Sequence, residues 1–389
     1  MALELKSSAA GGEVMGSERI TSSVDSPNEY QLSFRSKSLA VSVSLQVRDS
    51  KSVPKWPVSD YNVFLLDNPL VIENDVFLLR LRGKPIGWLI PILSIDSTYH
   101  GYSTKKPFLD VYPTARNALL SCPWEDKAAL YEVSKSSYSF SDFYKSSEVL
   151  CLLHKPELVK HEVAEPWTIL PTLTSLGFWH SRESNRVLER GSHVRDRLTH
   201  VRSQVAIELD EVSFLLHDDS FVRSLIHNPP SRGGEPVYNF LTYYQIVELM
   251  LDIVYEFERR ELLSRFGFLG HDPSSSKDCL AAYTSLASEK NRIEYLFSRY
   301  VDSGFEKGTL NAALGLFLND IGNTENLKFP ANLYKVRNMV VHSSRKLSSA
   351  AINSLAAINE VLEVTIFDIL CVLSTPEFAH LNPKHDYLI

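Results

Sequence analysis

The sequence predicts an α+β protein, with a β-rich N-terminal domain followed by a C-terminal all-α helical bundle. Three observations carry this. Apolar and polar residues alternate with period two over 31–47, QLSFRSKSLAVSVSLQV. A breaker cluster, PPSRGGEP, stands at 229–236. Beyond it every segment repeats its apolar residues with helical period.

A Ser/Gly-rich stretch of mixed charge at 1–27 reads as a disordered tail. The β-rich domain is expected over 28–165. Its clearest element is DVFLLRLRGKPIGWLIPIL at 75–93, two apolar runs around the turn signal GKP, which predicts a pair of strands. Some helix is expected within this domain, for example over 114–134. The stretch 166–236 reads as a connector. It begins Pro-bearing and aromatic and is helical and charged from 182 to about 226.

The bundle is expected over 237–380, with a short tail at 381–389. Its first helix, 239–266, sets Phe240, Tyr244, Val247, Leu251 and Val254 on one stripe at spacings of four and three. A second helix follows over 276–301, and a shorter one ends at Gly322. The next begins near Pro330, a residue suited to a first helical turn. The last long helix runs over 348–376. Helices joined by short loops make a bundle.

With 389 residues, 44% hydrophobic and 22% charged, the chain has the composition of a soluble globular protein of two or three domains. Its net charge of -7 and pI of about 6.0 confine any nucleic-acid contact to a local patch. Cys122, Cys151, Cys279 and Cys371 are widely spaced and form no CxxC pair. They are expected to be buried or free thiols in a reducing compartment rather than zinc ligands or disulfides. No membrane span is expected, and the N-terminus lacks the basic-then-apolar layout of a signal peptide. The expected location is cytoplasmic, with no cofactor and no metal. No GxxxxGK[ST], GxSxG or HExxH occurs.

The stretch VRNMVVHSS at 336–344 carries the candidate chemistry. An Arg and a His at such spacing mean little alone, because Arg186/His193, Arg195/His200 and Arg265/His271 fit the same loose pattern. The surrounding helix makes the difference. At about 100° per residue, with Arg337 at the origin, Tyr334, Asn338 and His342 fall within roughly 140° on one side. Leu333, Val336, Met339 and Val340 take the opposite arc, so one face buries and the other presents Arg337, Asn338 and His342 together.

LYKVRNMVVH late in a bundle whose earlier helix reads FLTYYQIVELML resembles the HEPN superfamily, closest in flavour to the Apea-like HEPN domains of prokaryotic defence proteins. The resemblance covers about 237–380. Ser344 stands where many HEPN toxins carry Tyr. The resemblance implies metal-independent RNA cleavage at a cleft between two protomers. His342 would move a proton, Arg337 would hold the crowded phosphate, and Asn338 would bond the phosphate or fix the His ring. Glu248 would salt-bridge Arg337 or orient His342; as a residue it reads equally as an exposed Glu on a bundle helix. Tyr334, Arg345 and Lys346 flank the motif as RNA contacts. The implied setting is antiphage or abortive-infection defence, with a protein or phage-derived trigger acting on the β-rich domain. The competing reading is a catalytically inactive HEPN scaffold that binds a partner or nucleic acid.

Upstream, Arg182, Arg186, Arg190, His193, Arg197 and His200 recur at spacings of three and four. On an unbroken helix they form a basic ridge for RNA; as a solvated linker helix they do nothing of the kind. Tyr99, Tyr102, Tyr112, Trp124 and the YSFSDFY run at 138–144 line either a binding surface or a core.

Overall fold

The computed structural model describes residues 4–6, 14–22, 29–35, 40–46, 57–96, 106–121, 140, 144–163, 165–180, 192–212, 216–227, 229–230, 234–268, 273–300, 304–323, 325 and 328–372, the first four stretches by their backbone. The chain forms a mixed α+β structure of two units. One comprises Met1–Pro166, Gly177–Ser184 and Arg195–Leu209; the other comprises Trp167–Leu176, Asn185–Val194 and Asp210–Ile389.

The first unit holds two sheets. Strands β1 (Glu4–Lys6), β2 (Val14–Ser22), β3 (Glu29–Arg35) and β4 (Ala40–Gln46) form an antiparallel sheet in sequence order. Two expectations change here. The disordered tail of 1–27 contains β1 and β2, because β3 offers β2 a paired edge and strand formation depends more on its partner than on local propensity. The alternation over 31–47 is divided between β3 and β4, which pair with Leu32 opposite Val43.

The second sheet contains β5 (Tyr61–Asp67), β6 (Phe77–Leu81), β7 (Lys84–Pro91), β8 (Glu148–His154), β9 (Trp179–His180) and β10 (Ala206–Leu209), in the order β10-β6-β7-β8-β5-β9. β6 and β7 are the hairpin expected at 75–93. Its turn uses Arg82 and Gly83, both at positive φ (53° and 73°), as a two-residue hairpin turn requires. Val149 to Leu153 of β8 are all buried, as in a strand covered on both faces. Gly87 admits close approach of β7 to β8, since a Cβ there would lie 2.1 Å from the Leu152 carbonyl oxygen.

Helix α1 (Ile92–Asp96) follows β7, and α2 (Lys106–Ser121) begins earlier than the helix expected at 114–134, whose residues past Ser121 lie outside the described residues. Val111, Ala115, Ala118 and Leu119 of α2 are buried. So are Phe140 and Tyr144; the Tyr144 hydroxyl donates to the Leu119 carbonyl and that of Tyr112 to Ile95. These three aromatics are structural, while Tyr99, Tyr102 and Trp124 lie outside the described residues.

The helical connector of 166–236 does not form as one element. After α3 (Lys155–Lys160), its pieces alternate between the units: α4 (Leu170–Ser175), β9, α5 (Ser192–Gln204), β10 and α6 (Ser220–His227). β10 pairs in parallel with β6, and this pairing, rather than the charged local sequence, dictates its extended form. Arg202 of α5 is fastened within the first unit. Its Nε and Nη2 donate to the two oxygens of Asp75, at 2.9 and 2.8 Å.

The second unit is helical beyond residue 215 among the described residues. Helix α7 (Pro236–Phe268) starts with Pro236 and is capped by Glu235, whose carboxylate accepts from the Tyr238 N–H at 2.7 Å. Its stripe of Phe240, Tyr244, Val247, Leu251 and Val254 is buried. The expected helix at 276–301 is instead α8 (Pro273–Ser285), α9 (Glu289–Tyr295) and a π turn over Leu296–Tyr300. No Gly or Pro marks the break. A tight turn at 286–288 makes it, closed by the Asn291 side chain donating to the Ser285 carbonyl at 3.0 Å.

Helix α10 (Gly304–Asp320) is followed closely by Gly322, which takes φ +76°. α11 (Phe329–Ser343) has Pro330 in its first turn, and α12 (Ser349–Val372) closes the described residues. α12 packs on α4, α7 and α10, and α11 packs on α7, α9 and α10. No described helix is long and apolar enough to cross a membrane.

Candidate active site on α11

Leu333, Val336 and Val340 bury one side of α11, as the wheel predicts; Met339 is half-buried rather than buried. Asn332 is also buried and donates to Asn311 of α10 at 2.9 Å. This anchorage turns Arg337 toward α7 and α9. Its Nη2 donates to Glu248 Oε1 at 2.9 Å, and its Nη1 donates to Asn338 Oδ1 at 3.1 Å. Nε lies 4.0 Å from Glu289 Oε1, an ion-pair contact too long for a hydrogen bond. The guanidinium carbon sits 5.8 Å from the centre of the Tyr244 ring.

A second layer steadies these groups. The Tyr244 hydroxyl donates to Glu289 at 2.9 Å, and the Tyr244 ring stacks on Phe240. Burial, with the Glu289 carboxylate beside it, pushes the Tyr244 phenol far up, so it stays protonated and donates. The hydrogen bond Arg337 donates to Glu248, reinforced by the Glu289 charge, raises the Arg337 pKa further. Arg337 is therefore a permanent cation whose position is fixed from α7, α9 and its own helix.

The structure thus joins Arg337, Asn338 and Glu248. His342 stands apart. It lies about 7.5 Å further along α11, is exposed, and makes no hydrogen bond or ion pair with a described residue. Tyr334 is half-buried on the same helix, while Arg345 and Lys346 are exposed on the 3-10 turn that follows. Glu289 and the hydroxyl of Tyr244 are site groups that the sequence reading missed. Tyr244 reads as core by its stripe position. Glu289 is visible only once Ser288 is recognised as the cap of a new helix.

Most of the expected basic ridge lies outside the described residues. Arg182, Arg186 and Arg190 are among the residues not described, while Arg197 is half-buried on α5. Among the described residues no cluster of His, Cys, Asp and Glu could hold a metal. Cys151 and Cys371 are buried, and burial pushes both thiols well above the usual range, so neither is a reactive thiolate. No family model, no curated protein and no solved structure matches the chain.

Proposed function

We propose that this chain is an HEPN-type endoribonuclease that cleaves RNA without a metal, by attack of a ribose 2′-OH on the adjacent phosphate. The observation that supports it is the state of Arg337. Of five guanidinium N–H groups, one meets Asn338, one meets Glu248 and Nε faces Glu289. One N–H on each terminal nitrogen has no hydrogen-bond partner among the described residues. Arg337 thus has donors to spare for a phosphate beside those its neighbours hold, and its charge stabilises the extra negative charge of the transition state.

His342, exposed and unengaged among the described residues, moves protons: it takes one from the 2′-OH or gives one to the leaving 5′-oxygen. The products are a 2′,3′-cyclic phosphate and a 5′-hydroxyl. Asn338 keeps Nη1 aimed, and Tyr334, Arg345 and Lys346 lie along the strand's path. Arg337 and His342 lie more than a turn apart on one helix. A homodimer that pairs two such faces supplies each phosphate with groups from both copies. In this reading the protein works in the cytoplasm in antiphage defence, with the β-rich unit receiving the trigger.

A second reading has one observation in its favour. Glu248 already holds Arg337 while His342 touches neither, as in an inactive HEPN scaffold that binds a partner. Incubating RNA with wild type and His342→Ala, followed by end-group analysis, separates the two. The nuclease reading expects cyclic phosphate ends from wild type and at least a roughly 100-fold slower reaction from the variant. Equal cleavage by both, or none by wild type with trigger present, leaves the scaffold.

A further inference from the structure

We infer that Glu248 is a placeholder for substrate: its carboxylate occupies, on Arg337 Nη2, the seat that a phosphodiester oxygen takes, and RNA binds by displacing it. This rests on the RNA reading above and adds how the site is held closed.

Two carboxylates share one guanidinium, and they are held very differently. Glu289 has a side chain 24% exposed, receives the Tyr244 hydroxyl at 2.9 Å, and meets Arg337 only through the buried Nε edge. It stays in place whatever binds at the terminal nitrogens. Glu248 has a side chain 44% exposed and, among the described residues, a single hydrogen bond, accepted from Nη2. With its side chain nearly half exposed, it can turn into water without carrying its charge through a buried position. An incoming phosphate oxygen replaces it charge for charge and bond for bond. With both carboxylates present the cluster is net negative, which opposes a polyanion; with Glu248 swung out, Glu289 and the incoming phosphate face Arg337 from separate edges. The resting site therefore holds Nη2 on Glu248, and RNA must compete for that donor.

The test measures binding of a short 2′-O-methyl RNA, which lacks the attacking hydroxyl, to the full-length protein by fluorescence anisotropy. Glu248→Gln should tighten binding by roughly fivefold, the equivalent of removing one exposed ion-pair competitor. The gain should disappear when Arg337→Ala is added. Asp252→Asn, one turn along α7 and paired with Arg292 at 3.2 Å, removes a neighbouring charge without touching the seat and should change binding little. If Glu248→Gln binds no tighter while Arg337→Ala binds more weakly, the placeholder role is wrong and the RNA reading survives. If Asp252→Asn matches Glu248→Gln, or the gain persists without Arg337, the effect is general electrostatics and the placeholder role is also wrong. If no variant binds RNA, both inferences fall.

Discussion

Arg202 and Arg337 each meet a carboxylate through a terminal nitrogen at 2.8–2.9 Å, yet the two contacts are built for different ends. Arg202 grips both oxygens of Asp75, whose side chain is only 4% exposed, and a third bond from the same guanidinium reaches the Leu70 carbonyl. Asp75 in turn accepts the Ile72 N–H at 3.0 Å. Both Asp75 oxygens, Nε and both N–H groups of Nη2 are engaged there, and the pair fastens α5 to the loop that enters β6. Arg337 donates one bond to a half-exposed Glu248 and keeps one N–H on each terminal nitrogen uncommitted among the described residues. A bidentate pair at a buried carboxylate is a structural fastening. A monodentate pair at an open one can exchange its partner. The distance does not separate the two cases; the number of committed donors and the exposure of the acceptor do.

That contrast can be broken first at its strongest member. Arg202→Ala strands a buried carboxylate and should destabilise the first unit by about 3 kcal/mol, lowering its unfolding midpoint by roughly 9 °C in a thermal melt. Arg337→Ala should barely move the melt, within about 1 kcal/mol, while cutting RNA cleavage about 100-fold. The buried Tyr243–Glu363 hydrogen bond, 2.7 Å between α7 and α12, tests the same rule in the helical unit. Tyr243→Phe removes the donor and should cost about 2 kcal/mol in chemical denaturation.

The smallest expected effect concerns pH. Burial, and then the nearby Arg223 charge, lower the pKa of His227, whose ring lies 6.4 Å from that of Trp167. A base with a lowered folded pKa leaves the unfolded chain to take the proton first. The stability it supports is complete above about pH 6.5 and declines as pH falls below it. His227→Gln should flatten that part of the stability–pH curve, read by melts from neutral to mildly acidic pH.

The sequence pattern was most informative where one local rule decided the outcome. The hairpin around Arg82–Gly83, the buried stripe of α7 and the apolar side of α11 follow from periodicity and turn chemistry. Where a partner strand decided, the pattern misled: β2 looked like a tail, and β10, paired with β6, lay inside what read as helix. The turn between α8 and α9 carries no Gly or Pro, so periodicity ran through it and hid Glu289 at the start of a helix. The Arg337–Asn338 pairing was legible because both residues share one helix face. The exchangeable character of Glu248 was not, since it depends on exposure and on what else holds Arg337.

The most direct measurement is cleavage of a defined RNA by the full-length protein in the presence of EDTA, with the product ends mapped, for wild type, Arg337→Ala and His342→Ala. Wild type is expected to leave 2′,3′-cyclic phosphate and 5′-hydroxyl ends, with both variants slower by about 100-fold or more and melts close to that of wild type. Cleavage abolished by EDTA, or cleavage of equal rate in all three proteins, would contradict the nuclease reading.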